Sequence, residues 1–336
     1  MSSVNINDLA KQLHLSKSTV SKALRDSYEI SQETKKKVLE LAQQLHYVPN
    51  PYASSLRRKK SNTIGVVIPE VADSFFSGAI KGIESVAREK GYHVLIYLTY
   101  ENYEREKAIL KDFGSGRVDG VLMSVSSETP DAGDVKDTVD KKIPVVFFDR
   151  VVEGMNTAKI ITNDFESSYE ATSHLISRGC KRIAYLSISK HLTIINKRME
   201  GYQKSCLDHN IKCFDDDVVE CSNDNESNFA LVKGILSKKK RPDGLIASVE
   251  KLTTPVYRAC KELGLSIPND VKVICFSNLD TASILSPTLT TIRQPAFEMG
   301  KTAATILFKA IEKRNFQLKK EYIIIPSCLE ERESTS

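Results

Sequence analysis

The chain has 336 residues, 48 Lys and Arg against 43 Asp and Glu, a formal net charge of +5 and 41% hydrophobic residues. That length is too great for one core and suits two or three. No window reaches transmembrane length and the N-terminus lacks an apolar signal region, so a membrane or exported protein is not expected. The seven Cys show no CxxC pair and no zinc spacing, which reads as reduced thiols in a cytoplasm, with no metal and no cofactor. Charge is unevenly spread. Residues 1–61 carry eleven basic and five acidic side chains, a net +6, so residues 62–336 sum to −1. A small basic head on a near-neutral body places one end of a protein on a polyanion.

The head is patterned as three short helices. Asn5 can cap the first, with Ile6, Leu9, Ala10 and Leu13 at helical spacing. His14-Leu15 makes a turn, and Ser16 caps a second helix from Lys17 to Leu24 with Val20, Ala23 and Leu24 inward. Ser31 caps a third, with Val38, Leu41, Ala42 and Leu45 as its apolar stripe. The second helix then turns Lys17, Ser18, Ser21 and Lys22 outward, short or basic donors that suit a major groove. Lys17, Ser18 and Lys22 are expected at base edges, with Ser16, Thr19 and Ser21 among the phosphate positioners. The plainer alternative is a helical hairpin with no DNA role.

Asn50 to Lys60 links head to body, and Pro51 can open a short helix there, marginal on its own. From Thr63 onward, short β-branched runs alternate with helical stretches: Ile64–Ile68, Phe75–Lys90, His93–Leu98, Tyr103–Phe113, Val118–Met123, Pro144–Phe148 and Lys159–Ile161. The cycle continues with Ser167–Arg178, Ile183–Ser187, Thr193–Asp208, Leu231–Ser237, Gly244–Ala247, Thr254–Leu263 and Val271–Phe276, and a last helix, Ala296–Lys313, precedes a strand at Tyr322–Ile325. Such alternation implies an α/β body of parallel sheets covered on both faces. An enzyme with a dinucleotide-type body is one rival reading. No GxGxxG follows the first strand, GxxxxGK[ST], GxSxG and HExxH are missing, and the six His are scattered. An architectural DNA-binding protein is the other rival, and it would not need a body with a cleft.

Residues 6–26, INDLAKQLHLSKSTVSKALRD, resemble the amino-terminal signature of the lactose-repressor (LacI/GalR) family. The family's Val-Ser-x-x-Thr-Val-Ser core stands here as Leu15-Ser16-Lys17-Ser18-Thr19-Val20-Ser21, followed by Ile30-Ser31-Gln32-Glu33-Thr34 and Tyr47-Val48-Pro49-Asn50-Pro51. The likeness runs on through Gly65-Val66-Val67-Ile68-Pro69, Val118-Asp119-Gly120, Phe148-Asp149-Arg150, Arg198 with Gly201-Tyr202, and Leu289 to Pro295. It implies a helix-turn-helix head over 1–49, a hinge helix over 50–61 and a periplasmic-binding-protein-like body over 62–336. Subdomain one would hold about 62–161 and 292–326, and subdomain two about 162–291, with Leu289 to Gln294 returning the chain to the first. The resemblance also implies that the hinge orders on DNA with Asn50 and Ala53 against it, while Leu56, as a minor-groove wedge, kinks the duplex.

Ligands of such sheets bind beyond the carboxyl ends of strands. Asp73, Phe75 and Phe76 follow the first strand, and an aromatic pair there can stack a flat or sugar-like ligand or simply be helix core. Asp149 follows another strand, free to accept hydroxyl protons or to pair with Arg150. Asn163 stands where the second subdomain begins, and Arg198 matches the family arginine that clamps polar ligands. Two departures stand out. Val249-Glu250 replaces the family's Asn-Asp, and Ser277-Asn278 follows Phe276 where the family has aspartate. Little polarity is expected at Val249 and Ser277, which disfavours a simple hexose and leaves less polar, phosphorylated or larger effectors open. The expectation is a cytoplasmic transcriptional repressor, binding a pseudo-palindromic double-stranded operator as a homodimer and controlled by a small molecule in the cleft. The tail from Cys328 to Ser336 has no apolar heptad, so no tetramer device is expected.

Overall fold

The computed structural model describes residues 4–47, 60–140, 142–189, 192–313 and 316–336. The chain forms two compact units, 1–59 and 60–336. Asn50, Ala53 and Leu56, and with them nearly all of the expected hinge, lie outside the described residues.

The head comprises α1 (Ile6–Gln12), α2 (Lys17–Ala23) and α3 (Gln32–Gln44). Each begins at the residue whose side chain can accept from the first turn. Asn5 takes the amide of Asn7, Ser16 that of Thr19 and Ser31 that of Thr34. Asn5 and Asp8 complete a reciprocal capping box. The core is small: Leu9, Ala10, Val20, Ala23, Val38 and Ala42 are buried together. One charge is built into it. Lys35 is buried on α3, and its Nζ lies 2.7 Å from Oδ1 of Asp26, pinning the α2–α3 loop.

The body is a doubly wrapped α/β unit. In chain order it contains β1 (Thr63–Ile68), α4 (Ser74–Glu89), β2 (His93–Leu98), α5 (Tyr103–Phe113), β3 (Gly120–Met123), α6 (Gly133–Asp140), β4 (Val145–Phe148) and β5 (Ala158–Ile161). Then come α7 (Asp164–Ser177), β6 (Ile183–Ser187), α8 (Thr193–Asp208), β7 (Val218–Glu220), α9 (Asn225–Leu236), β8 (Gly244–Ala247), α10 (Thr253–Leu263) and β9 (Lys272–Phe276). β10 (Thr290–Arg293), α11 (Ala296–Glu312), β11 (Glu321–Ile324) and β12 (Cys328–Glu330) finish it. Two six-stranded sheets result, ordered β11-β5-β4-β3-β1-β2 and β12-β10-β9-β8-β6-β7. All pairings are parallel except β10 with β12, and each sheet carries an apolar cluster on both faces. Each sheet with its helices is a lobe.

The chain passes between lobes three times, at 162–163, 294–295 and 325–327. The expected return near residue 292 needs correction. Thr290–Arg293 stays in the second sheet, parallel to β9, because β12 comes back to pair with it from Thr291 to Arg293. The last residues also belong to the second lobe, where the Ser334 hydroxyl donates to the Val273 carbonyl at 2.6 Å. At the start of the body, Asp119 accepts the amides of Ser61 (2.7 Å) and Asn62 (2.9 Å), fixing where the chain leaves the linker. Helices pack at backbone distance. A Cβ on Gly300 would lie 2.0 Å from the Ala79 carbonyl oxygen, and one on Gly201 would lie 2.2 Å from that of Phe165.

Candidate functional site

In the head, α2 buries Val20 and Ala23 and exposes Lys17 and Ser18, with Ser21 and Lys22 half-buried on the same outer side. The Ser16 hydroxyl is committed to the cap, 3.1 Å from the Thr19 amide and 2.9 Å from the Thr19 hydroxyl. Lys22 pairs with Glu29. Arg25 folds back along α2, its Nε donating to the Ser21 carbonyl at 2.9 Å and Nη2 to the Ser21 hydroxyl at 3.1 Å. Tyr28, 94% exposed in the loop after α2, is a further contact-capable ring that the sequence reading passed over. An aromatic residue in an otherwise polar loop was its only signal.

In the body, residues just beyond the carboxyl ends of β1, β4, β8 and β9 meet between the lobes. Eight of the nine expected effector residues line one narrow cavity of about 30 Å³, closed between the lobes: Asp73, Phe75, Phe76, Asp149, Arg198, Val249, Glu250 and Ser277. Asn163 is not among them. Its side-chain oxygen accepts the Ser327 amide (2.8 Å) and the Ser167 hydroxyl (3.0 Å), so it ties two of the chain crossings together instead. Arg150, Ile194, Phe276, Asn278 and Gln294 join the lining. The sequence offers Arg150 only as a partner for Asp149. Its short bonds go elsewhere, from Nη1 to both oxygens of Glu101 at 2.7 and 2.9 Å, against 3.8 Å to Asp149.

Arg198 is held from below. Nε donates to Asp164 at 2.7 Å, Nη1 to the Ser248 carbonyl at 2.6 Å, and the guanidinium lies 4.1 Å from the centre of the Phe276 ring. Its Nη2 is buried without a hydrogen bond, as are Nε of Arg150, 3.8 Å from Asp149, and Nε2 of Gln294. Glu250 corrects the expectation of a weakly polar end. From the second lobe it reaches the first turn of α4, where Oε1 accepts the Ser74 amide (2.9 Å) and hydroxyl (2.7 Å). Its other oxygen accepts the Ser277 hydroxyl (2.9 Å) and the Asn278 amide (3.0 Å). One carboxylate thus latches the two lobes with four donors. Asn278 in turn exchanges two hydrogen bonds with the Gln294 backbone at the crossing.

Two acids at this end are displaced from their ordinary range. Burial, reinforced by the charge of Glu250, pushes Asp73 up to about 7. Burial, opposed by the two arginines, pushes Asp149 up to about 6. Asp149 also sits at φ 61°, in the left-handed region, and its side chain lines the cavity.

Comparison with known proteins agrees with this geometry. Residues 5–50 match the family described as bacterial regulatory proteins, lacI family, and residues 172–335 match a periplasmic binding protein-like domain. The HTH-type transcriptional repressor PurR of Vibrio campbellii is 30% identical over 326 residues, covering 95% of this chain and 97% of that one. The chain belongs to the LacI family of bacterial regulatory proteins. Catabolite control protein A of Priestia megaterium is 28% identical over 334 residues, 99% of each chain. The fold is that of the lac repressor dimer solved with operator and the anti-inducer ONPF, at a TM-score of 0.84 and 23% identity over 99% of each chain. This LacI-family chain is a DNA-binding transcriptional regulator under the control of a small-molecule effector.

Proposed function

We propose that the chain is a homodimeric repressor that reads a pseudo-palindromic operator with α2 and releases or grips it according to a polar ligand bound between the lobes. Three donors carry the reading of the cleft. Arg198 Nη2, Arg150 Nε and Gln294 Nε2, three of the nine buried side-chain polar atoms without a hydrogen bond among the described residues, converge on one cavity, and buried polar groups are generally paired. Oxygens of a ligand would complete them. Arg198 and Val249 would hold it from the second lobe, and Asp73, Asp149 and the Phe75–Phe76 pair from the first. A ligand that spans both lobes biases their relative rotation and so the spacing of two heads in a dimer. The lac repressor dimer of the same fold, and the exposed Leu95 and Ile96 on edge strand β2, support pairing of two copies. Free cysteines at all seven positions support a reducing, cytoplasmic setting.

For DNA, Lys17, Ser18 and Lys22 face base edges in this reading, with Ser16, Thr19 and Ser21 nearer phosphates, and Leu56 enters the minor groove beside Asn50 and Ala53. Because Arg198 compensates buried Asp164, the informative variant is Arg198→Lys, which keeps a cation beside that carboxylate but loses the flat fork. Metabolites that raise the melting temperature of the full chain are titrated against operator binding. The variant should bind operator without ligand and lose the ligand response. An equal response in both proteins sinks the assignment. Operator affinity should also fall with salt at about 0.9 log units per neutralised phosphate, and a salt-insensitive complex sinks the DNA reading.

A further inference from the structure

Five carboxylates, Asp73, Glu101, Asp149, Asp164 and Glu250, gather at the inner end of the cleft around two guanidiniums, those of Arg150 and Arg198. Both guanidiniums are already spent on acids of their own lobe. Arg150 is bidentate to Glu101 through Nη1, and Arg198 is bonded to Asp164. Glu250 is satisfied by four neutral donors, which quench its hydrogen-bonding capacity but not its charge. Asp73 is left without a cation, and Asp149 is compensated by the two arginines only at longer range. Asp73 accepts the Phe75 amide at 2.9 Å, and Asp149 has only a long 3.4 Å contact from the Ser124 hydroxyl and the 3.8 Å approach of Arg150. Glu70 adds a further negative charge near Asp73, while Lys251, beyond Glu101, turns to Asn223.

Resting on the reading of this cleft as the effector site, we infer that the effector is a hydroxylated amine, positively charged at neutral pH. The ammonium neutralises Asp73 and Asp149. The ligand's hydroxyl oxygens accept from Arg198 Nη2, Arg150 Nε and Gln294 Nε2, three buried donors of this cavity that make no hydrogen bond. A phosphorylated or carboxylated ligand would add negative charge where carboxylates already outnumber guanidiniums. A neutral sugar would fill the donors and leave the surplus charge in place. The upward displacement of Asp73 to about 7 and of Asp149 to about 6 agrees with a site that lacks a cation. Both acids come from the first lobe and the fork of Arg198 from the second, so such a ligand touches both.

The test uses the full chain in calorimetry and thermal-shift assays. The probes are D-glucosamine, D-galactosamine and D-mannosamine, each beside its parent hexose, its N-acetyl derivative and its 6-phosphate. At least one amine should bind more than about tenfold more tightly than its three counterparts near neutral pH. That affinity should fall about tenfold toward about pH 5, where Asp73 and Asp149 take up protons and the amine keeps its charge. Asp149→Asn, which the left-handed backbone tolerates, should erase the preference for the amine. Absence of a thermal shift from all three amines at about 10 mM overturns the inference. So does tighter binding of a neutral or phosphorylated member. If that binding is lost in Arg198→Lys, only the charge assignment fails and the effector site stands. If it is unaffected by Arg198→Lys, the site reading fails too.

Discussion

Arg150 in the first lobe and Arg198 in the second are both buried, both held by an acid of their own lobe, and both lie over a phenylalanine: Phe76 at 5.8 Å and Phe276 at 4.1 Å. Their surroundings differ. Arg198 adds a 2.6 Å bond to the Ser248 carbonyl, and Asp164 also has the Thr162 hydroxyl beside it, with the like charge of Glu166 nearby. Glu101, the partner of Arg150, also accepts the Ser127 amide at 2.8 Å. Despite burial, the Arg150 charge brings Glu101 below its ordinary range, whereas burial leaves Asp164 above its own even beside Arg198. The first lobe also keeps two extra acids in the cleft, Asp73 and Asp149, and the second sends only Glu250 across. A matched pair of clamps therefore sits in unmatched fields, and the second clamp depends more on its one ion pair.

That dependence sets the largest effect. Arg198→Ala strands Asp164 in the interior and should cost about 3–5 kcal/mol, measured by chemical denaturation. Adding Asp164→Asn should recover most of it. Arg150→Ala should cost clearly less, because Glu101 retains the Ser127 amide and the nearby charge of Lys251, whereas Asp164 retains the Thr162 hydroxyl but faces Glu166. Equal losses at the two arginines would break the contrast. Placement of Arg198 is tested next. Gly201, one turn along α8, allows backbone contact with α7, and a Cβ there meets Phe165 and Tyr169 main-chain atoms. Gly201→Ala should therefore cost about 3 kcal/mol. Gly234, on α9 with nothing within 4 Å of an added Cβ, should instead gain ~0.5–1 kcal/mol on the same change.

These contrasts mark what the sequence could reveal. Caps at Asn5, Ser16 and Ser31 were legible because a short polar side chain before an apolar period has one stable use. The lining of the cleft was legible in large part because strand ends in parallel sheets face the same crevice. Partnership was not legible. That Arg150 prefers Glu101 to its neighbour Asp149, and that Asn163 serves a crossing, depends on segments far apart in the chain. The placement of β10 was missed for the same reason, since its antiparallel partner β12 arrives only at the end. The Val249-Glu250 departure suggests a less polar end, through Val249, than Glu250 in fact supplies. Its length lets it reach Ser74, 176 residues away, and no local pattern encodes that.

The two extra acids of the first lobe predict a pH signature. Asp73 and Asp149 have folded values of about 7 and about 6, above the unfolded value of 3.8. The native state thus holds more protons than the unfolded state between about pH 4 and pH 7, and these groups lower stability as pH rises through that window. Asp73→Asn preserves the α4 cap and removes the larger of the two liabilities. Its melting temperature should exceed wild type at pH 8 by an amount worth ~2 kcal/mol, and the gain should vanish near pH 4. A constant gain at all pH values would mean that charge in the cleft is not its cause. Glu101, whose value is lowered, works in the opposite sense at acid pH, so the difference between variant and wild type is the quantity to follow.

The smallest loss concerns the one acid that leaves its lobe. Glu250→Gln keeps the length of the latch but exchanges one acceptor oxygen for an amide NH2. The hydroxyls of Ser74 and Ser277 can rotate to accept from it. Backbone amides cannot, so either Ser74 N or Asn278 N loses its acceptor. The global cost should be only ~1 kcal/mol, since a single hydrogen bond between partly buried groups is exchanged. Its location is the sharper readout. Amide exchange should quicken at Ser74 or Asn278 while the sheets on both sides stay protected, because the latch opens without either lobe unfolding. Uniform acceleration across the second lobe would show that Glu250 stabilises its own lobe and does not bridge to the other.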